Sequence, residues 1–180
     1  MLQITVPAET FYDEVREEFV YGKEQTLRLE HSLVSLSKWE SRWHKSFLFT
    51  KNKTDEELLD YIKCMTLTQN VSPDVYNRLS KENANEIRRY IDDPMTATVV
   101  RETKKGKGNG RILTAELIYY YMISFNIPVE FEKWHLNRLL TLIRVCDAES
   151  KPAKKRSVTD IMRDNAKLNA ERRKLLNSKG

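Results

Sequence analysis

At 180 residues, 40% hydrophobic and 32% charged, the chain is long enough to bury a core and too apolar for a disordered polymer. No run approaches the roughly 18 apolar residues of a membrane-spanning helix, and residues 1–7 lack the basic and apolar regions of a signal peptide, so neither is expected. The net charge of +5 sits at one end: over residues 151–180 ten Lys/Arg face three acids, a net of +7, which leaves −2 on the first 150 residues.

Residues 1–31 read as strand. Leu2, Ile4 and Val6 alternate with polar neighbours, Leu27 and Leu29 do the same, and Tyr21-Gly22 offers a turn, which predicts an antiparallel hairpin or a three-stranded sheet. From Ser32 the period becomes helical: Leu33, Leu36, Trp39 or Glu40, and Trp43 fall on one stripe. Thr54 with Glu57 makes a capping box for the next helix, whose predicted buried face is Leu58, Leu59, Ile62 and Met65. Ser72-Pro73 opens a short helix carrying Val75, Tyr76 and Leu79. Ser80 or Asn83 caps another, with Ile87, Tyr90 and Ile91 inward and Pro94 as its stop.

Residues 96–113 predict a β hairpin whose tip, Lys104-Lys105-Gly106-Lys107-Gly108-Asn109-Gly110, holds three of the five glycines. The lysine–glycine order is wrong for a phosphate-binding loop, and no Ser/Thr follows to meet magnesium. Two long helices follow, over about 114–125 and 129–147, broken at Asn126–Pro128. The second presents Phe131 or Glu132, His135 or Leu136, Leu139, Leu140, Ile143 and Cys146 as one face. Three consecutive tyrosines, Tyr119 to Tyr121, turn through about 100° per residue, so at least one must leave the core. Beyond Lys151-Pro152, Ser157 and Asp160 signal a cap for a final helix to Leu176. That helix is too sparsely apolar to hold itself in place and must dock on the body or on a partner.

The expected fold is mainly α with a small antiparallel β element, an α+β class. Its parts are an N-terminal hairpin or small sheet over 1–31, a helical body over 32–148 with the hairpin loop at 96–113, and a basic helical arm over 149–180. Cys64 and Cys146 fall on apolar helix faces and read as buried thiols of a reducing compartment. His31, His44 and His135 share no metal-ligand spacing with each other or with the cysteines. No nucleophile elbow, zinc-protease helix or paired-carboxylate signature is present, so no catalytic residue, metal or cofactor is assigned and the chain is not expected to be an enzyme.

Several segments carry a resemblance: Ser-Leu-Ser-Lys-Trp-Glu-Ser-Arg-Trp from residue 35, Glu-Leu-Leu-Asp-Tyr-Ile-Lys-Cys-Met-Thr from 57, and Pro-Met-Thr-Ala-Thr from 94. Glu-Leu-Ile-Tyr-Tyr from 116, the stretch from Lys133 to Cys146 and Asn-Ala-Glu-Arg-Arg-Lys from 169 complete it. Together they resemble, over essentially the whole chain, a group of small proteins from the structural-gene modules of long-tailed bacteriophages. The resemblance implies a tail-assembly chaperone or virion structural subunit, working in the host cytoplasm during assembly or in the virion. Its partners would be tape-measure, tail or capsid proteins, or further copies of itself, with no membrane involved. The residues expected to meet such partners are Trp39, Trp43, Tyr119, Tyr120 and Trp134 on the body and Arg172, Arg173 and Lys174 on the arm. The alternative is nonspecific nucleic-acid binding through the arm and the 101–111 loop, since lysine and arginine neutralise phosphates.

Overall fold

The structure, a computed structural model, describes residues 1–13, 15, 17–99, 112–150 and 158–176. Contacts divide the chain into two compact units, residues 1–148 and residues 149–180. The class is α+β, with helices dominating.

Four short strands open the first unit: β1 (Leu2–Val6), β2 (Glu9–Asp13), β3 (Glu18–Gly22) and β4 (Gln25–Leu29). β1 pairs antiparallel with β4, and β2 with β3, in one continuous register that runs from Leu2 opposite Leu29 to Asp13 opposite Glu18. The four strands are therefore a single hairpin, interrupted at residues 7–8 and 23–24. Pro7 explains the interruption, because it has no N–H to give the ladder. Arg78 fills the gap, its guanidinium donating to the carbonyls of Pro7 (2.8 Å) and Lys23 (3.3 Å). The turn expected at Tyr21-Gly22 is not there. Both residues are paired within β3, opposite Thr10 and Glu9, and the last pair of the register is Asp13 with Glu18.

Ile4, Val6, Leu27 and Leu29 of β1 and β4 are buried in one core with Leu33, Leu36 and Trp39 of α1 (Leu33–Trp43), the last three wholly buried. Ser32 caps this helix by accepting from Ser35 N–H, and His44 ends it in a left-handed conformation, φ 50°, donating its N–H to the Glu40 carbonyl. α2 (Asp55–Met65) starts at the Thr54–Glu57 capping box. Its end is stitched back to the hairpin, since Glu30 N–H reaches Met65 O and Leu67 N–H reaches Arg28 O.

The buried face of α2 differs from the expected one. Glu57, Tyr61, Cys64 and Met65 point inward, whereas Leu58 is 43% exposed and Leu59 and Ile62 are half-buried. Tyr61 decides the rotation. Its hydroxyl meets His31 Nδ1 at 2.6 Å and its ring stacks on Phe47 with centroids 3.7 Å apart, so a polar-tipped aromatic takes the place the leucines would fill.

α3 (Pro73–Asn77) and α4 (Lys81–Asp92) follow, with Val75, Tyr76, Ile87 and Tyr90 buried and a Ser80–Asn83 capping box at the start of α4. Residues 96–99 and 112–114 form no strand, and the rest of the expected hairpin lies outside the described residues. α5 (Ala115–Ser124) closes with a left-handed Asn126 at φ 52°. Ile127 N–H donates to Met122 O and Asn126 N–H to Ile123 O, the two bonds of a Schellman stop.

The single helix expected over 129–147 is instead two pieces. A 3-10 turn covers Val129–Lys133, and α6 runs Leu136–Ser150. Between them His135 forms a β-bridge with Ser32, and Leu136 N–H donates to His31 O at 2.7 Å, so pairing with the segment before α1 breaks the helix. In the second unit α7 (Val158–Leu176) has every described side chain exposed.

Candidate functional site

Because Tyr61 occupies the core, the apolar stripe of α2 is wider than the core uses. Leu58 and Ile62 are left lining an open groove of about 440 Å³ with Ile87 and Ile91 of α4. Phe47 and Leu48, from the loop between α1 and α2, close one side. The polar lining consists of Lys53, Asn85, Arg88 and Asp92. Lys53 Nζ lies 4.3 Å above the Phe47 ring and donates to Thr50 O. Burial pulls its ammonium below the usual lysine range, against the opposing pull of Glu57. Glu57 itself is engaged elsewhere, bound to Lys45 Nζ at 2.6 Å and to Thr54 N–H, and these bonds hold its carboxyl below the usual range. Among the described residues, no carboxylate lies within ion-pair distance of Lys53 or Arg88.

A second surface lies where α5, the 3-10 turn and α6 meet. Trp134 stacks on Phe131 (centroids 3.8 Å, 16° between planes), while the Arg138 guanidinium covers it at 4.1 Å. Tyr119 donates its hydroxyl to Glu132 Oε2 at 2.8 Å, and burial together with that bond pushes its pKa up to about 12. Tyr120 is 59% exposed beside Tyr121, and Ile123 and Val129 are exposed as well.

The residues expected to make partner contacts are thus dispersed. Trp134 forms an aromatic ledge with Phe131, Tyr119 is tied to it through Glu132, and Tyr120 is exposed beside Tyr121. Trp43 is half-buried on α1, its indole N–H donating to Asp60 Oδ2 at 3.0 Å. Trp39 presents no surface at all: it is 0% exposed, packed against Trp43, Phe47 and Tyr61, with its indole N–H on Glu57 O. A tryptophan at the centre of the α1 stripe is a core residue here. Arg172, Arg173 and Lys174 are exposed on α7.

The groove carries no short sequence motif. Its signal in the sequence is an excess, since α2 holds Leu58, Leu59, Tyr61, Ile62 and Met65 on an arc too broad for one buried face.

Two histidines form a buried polar cluster beneath these surfaces. His31 and His135 are edge to face with centroids 5.1 Å apart. His135 Nε2 donates to Tyr90 O at 2.9 Å, and the Tyr90 hydroxyl donates to Glu30 Oε1 at 2.6 Å. Burial first, then the neighbouring His135, holds His31 down at about 3, and burial lowers His135 too, so both are neutral imidazoles. Among the described residues no group of three or more His, Cys, Asp or Glu could hold a metal ion. Cys64 and Cys146 are free thiols, the first buried and pushed up by that burial.

No family model matches the chain, and neither a curated protein nor a solved structure matches it.

Proposed function

We propose that this chain is a non-enzymatic contact protein of bacteriophage virion morphogenesis, acting as a tail-assembly chaperone or as a structural subunit. The observation that carries the reading is the α2–α4 groove. Leu58 and Ile62 are apolar, sit on a well-capped helix and are left partly uncovered by the core, as a surface meant for another protein requires. The stacked Phe131 and Trp134, with the exposed Tyr120 on α5, offer further contacts of the composition favoured at interfaces. The resemblance read from residues 35–43, 57–66 and 133–146 to small proteins of phage structural modules supports tape-measure, tail or capsid proteins as such partners. A chaperone would work in the host cytoplasm, and a structural subunit would remain in the particle.

Quantitative mass spectrometry of purified particles and of infected-cell lysate tests the reading. A fixed ratio to the tail or capsid protein in particles identifies a structural subunit, and presence in lysate alone, bound to a tail component, identifies a chaperone. Association with no particle protein in either sample defeats the reading. Nucleic-acid binding stays as a second reading because Arg172, Arg173 and Lys174 are exposed together on α7.

A further inference from the structure

We infer that the α2–α4 groove takes an amphipathic helix of a partner protein whose apolar stripe is flanked by acidic residues. The inference rests on the contact reading above and specifies the chemistry of the partner at that site. Helix shape follows from the walls: two helices contribute apolar residues one turn apart, Leu58 and Ile62 on one side and Ile87 and Ile91 on the other. A third helix with apolar residues at three- and four-residue steps lies naturally against such a pair.

The acidic flank follows from the cations. Lys53 has exchanged part of its hydration for the face of Phe47 and one backbone carbonyl, and no described carboxylate lies within ion-pair distance of it: Glu57 acts on it only from further off, its own bond being to Lys45. A carboxylate arriving with the partner would restore in the complex what burial removed, and charge-assisted bonds are the stronger kind. Arg88 gives a second unanswered cation on the opposite wall. Asp92, one turn beyond Arg88 on α4, is the lone carboxylate of the lining and would repel acids at its own position. The partner's acids therefore face Lys53 and Arg88, and its residues near Asp92 are neutral or basic. Complementarity of this kind sets partner choice more than raw affinity.

Three synthetic 18-residue helical peptides with one common leucine stripe and Glu, Gln or Lys flanks serve as probes. Each is titrated against the full chain by fluorescence anisotropy at low salt, with sedimentation of the chain alone in parallel. The expected result is binding of the Glu-flanked peptide at least tenfold tighter than the Lys-flanked one, with the Gln-flanked peptide between them. Arg88→Glu should narrow or reverse that order, and Leu58→Asp should weaken all three peptides by tenfold or more. Both positions reach solvent, and far-UV melting of each variant establishes that it is folded. Equal binding of the three peptides, no binding, or indifference to both substitutions overturns the inference. Self-association abolished by Leu58→Asp would give the groove to a second copy and overturn it as well. Loss of peptide binding with the protein still found among particle components would leave the morphogenesis reading intact on another surface.

Discussion

The Glu40 carboxylate accepts N–H from Phe47 at 2.9 Å and from Ala115 at 2.7 Å, so one side chain on α1 ties down the following loop and the start of α5. Burial raises its pKa, and the two backbone bonds oppose that rise. Removing it strands two buried donors at about 1–3 kcal/mol each. Glu40→Ala should therefore lower unfolding free energy by about 2–6 kcal/mol in urea titrations, and Glu40→Gln, which keeps one acceptor oxygen, by less. A loss below about 1 kcal/mol would mean that water replaces the carboxylate. His31 gives the pH dependence. Its imidazole titrates at about 3 in the folded chain and near 6.5 when unfolded. The unfolded chain thus binds the extra proton, so the stability held above pH 6.5 is lost as pH falls toward 3. Between pH 7 and 5.5 this one group should cost about 1 kcal/mol, and His135, also lowered, should add to it. That window lies above the ordinary carboxylate range, and the raised Glu40 carboxyl would act with the opposite sign, favouring the folded state as pH falls, which separates the histidine effect from acid titration. His31→Gln should flatten the slope over the same interval, and an unchanged slope would place the titration elsewhere.

At the scale of elements, α2 offers the sharpest contrast. Met65 is wholly buried and Leu58 is not, although hydrophobic periodicity makes them equals. Met65→Ala should cost about 2–5 kcal/mol, while Leu58→Ser should cost under about 1 kcal/mol. Comparable losses in chemical denaturation would return Leu58 to the core. What the sequence made legible is local. The Thr54–Glu57 box, the Ser80 cap, Pro73 at the first turn of α3 and the break at Asn126 are settled within four or five residues, and each stands where expected. What it hid depends on distant partners. Tyr61 turned inward because His31, thirty residues earlier, met its hydroxyl, and the helix over 129–147 was cut because His135 paired with Ser32. Gly22 looked like a turn residue until the register across the hairpin placed it opposite Glu9. The groove was hidden for the same reason: Leu58, Ile62 and Ile91 look like core residues until the real core is seen to leave them partly uncovered beside the buried Ile87. Trp39 is the reverse case, its aromatic surface suggesting contact until packing consumed all of it.

For the whole molecule, charge and apolar surface are separated along the chain. The first 150 residues carry −2 and hold the groove and the aromatic ledge, while residues 151–180 carry +7. On α7 the described side chains are all exposed, so its cations reach solvent without desolvation and act at long range, across a Debye length of about 10 Å at 0.1 M salt. Reversing Arg172, Arg173 and Lys174 to Glu together would bring the net charge of residues 151–180 from +7 to +1. The native chain should be retained on heparin at about 0.1 M salt and released as salt rises, because bound counterions are restored. The triple variant should pass through at the same salt, with thermal unfolding of the body shifted by less than about 0.5 kcal/mol, as for other exposed substitutions. Residues 151–180 contain no Phe, Tyr or Trp for base stacking. Any nucleic-acid affinity should therefore be alike for DNA and RNA of any sequence and vanish with the same three residues. If the triple variant is retained as strongly as the native chain, the anion-binding charge lies in other cations, such as Lys154, Lys155 and Arg156 or Lys104, Lys105 and Lys107, and not in these three.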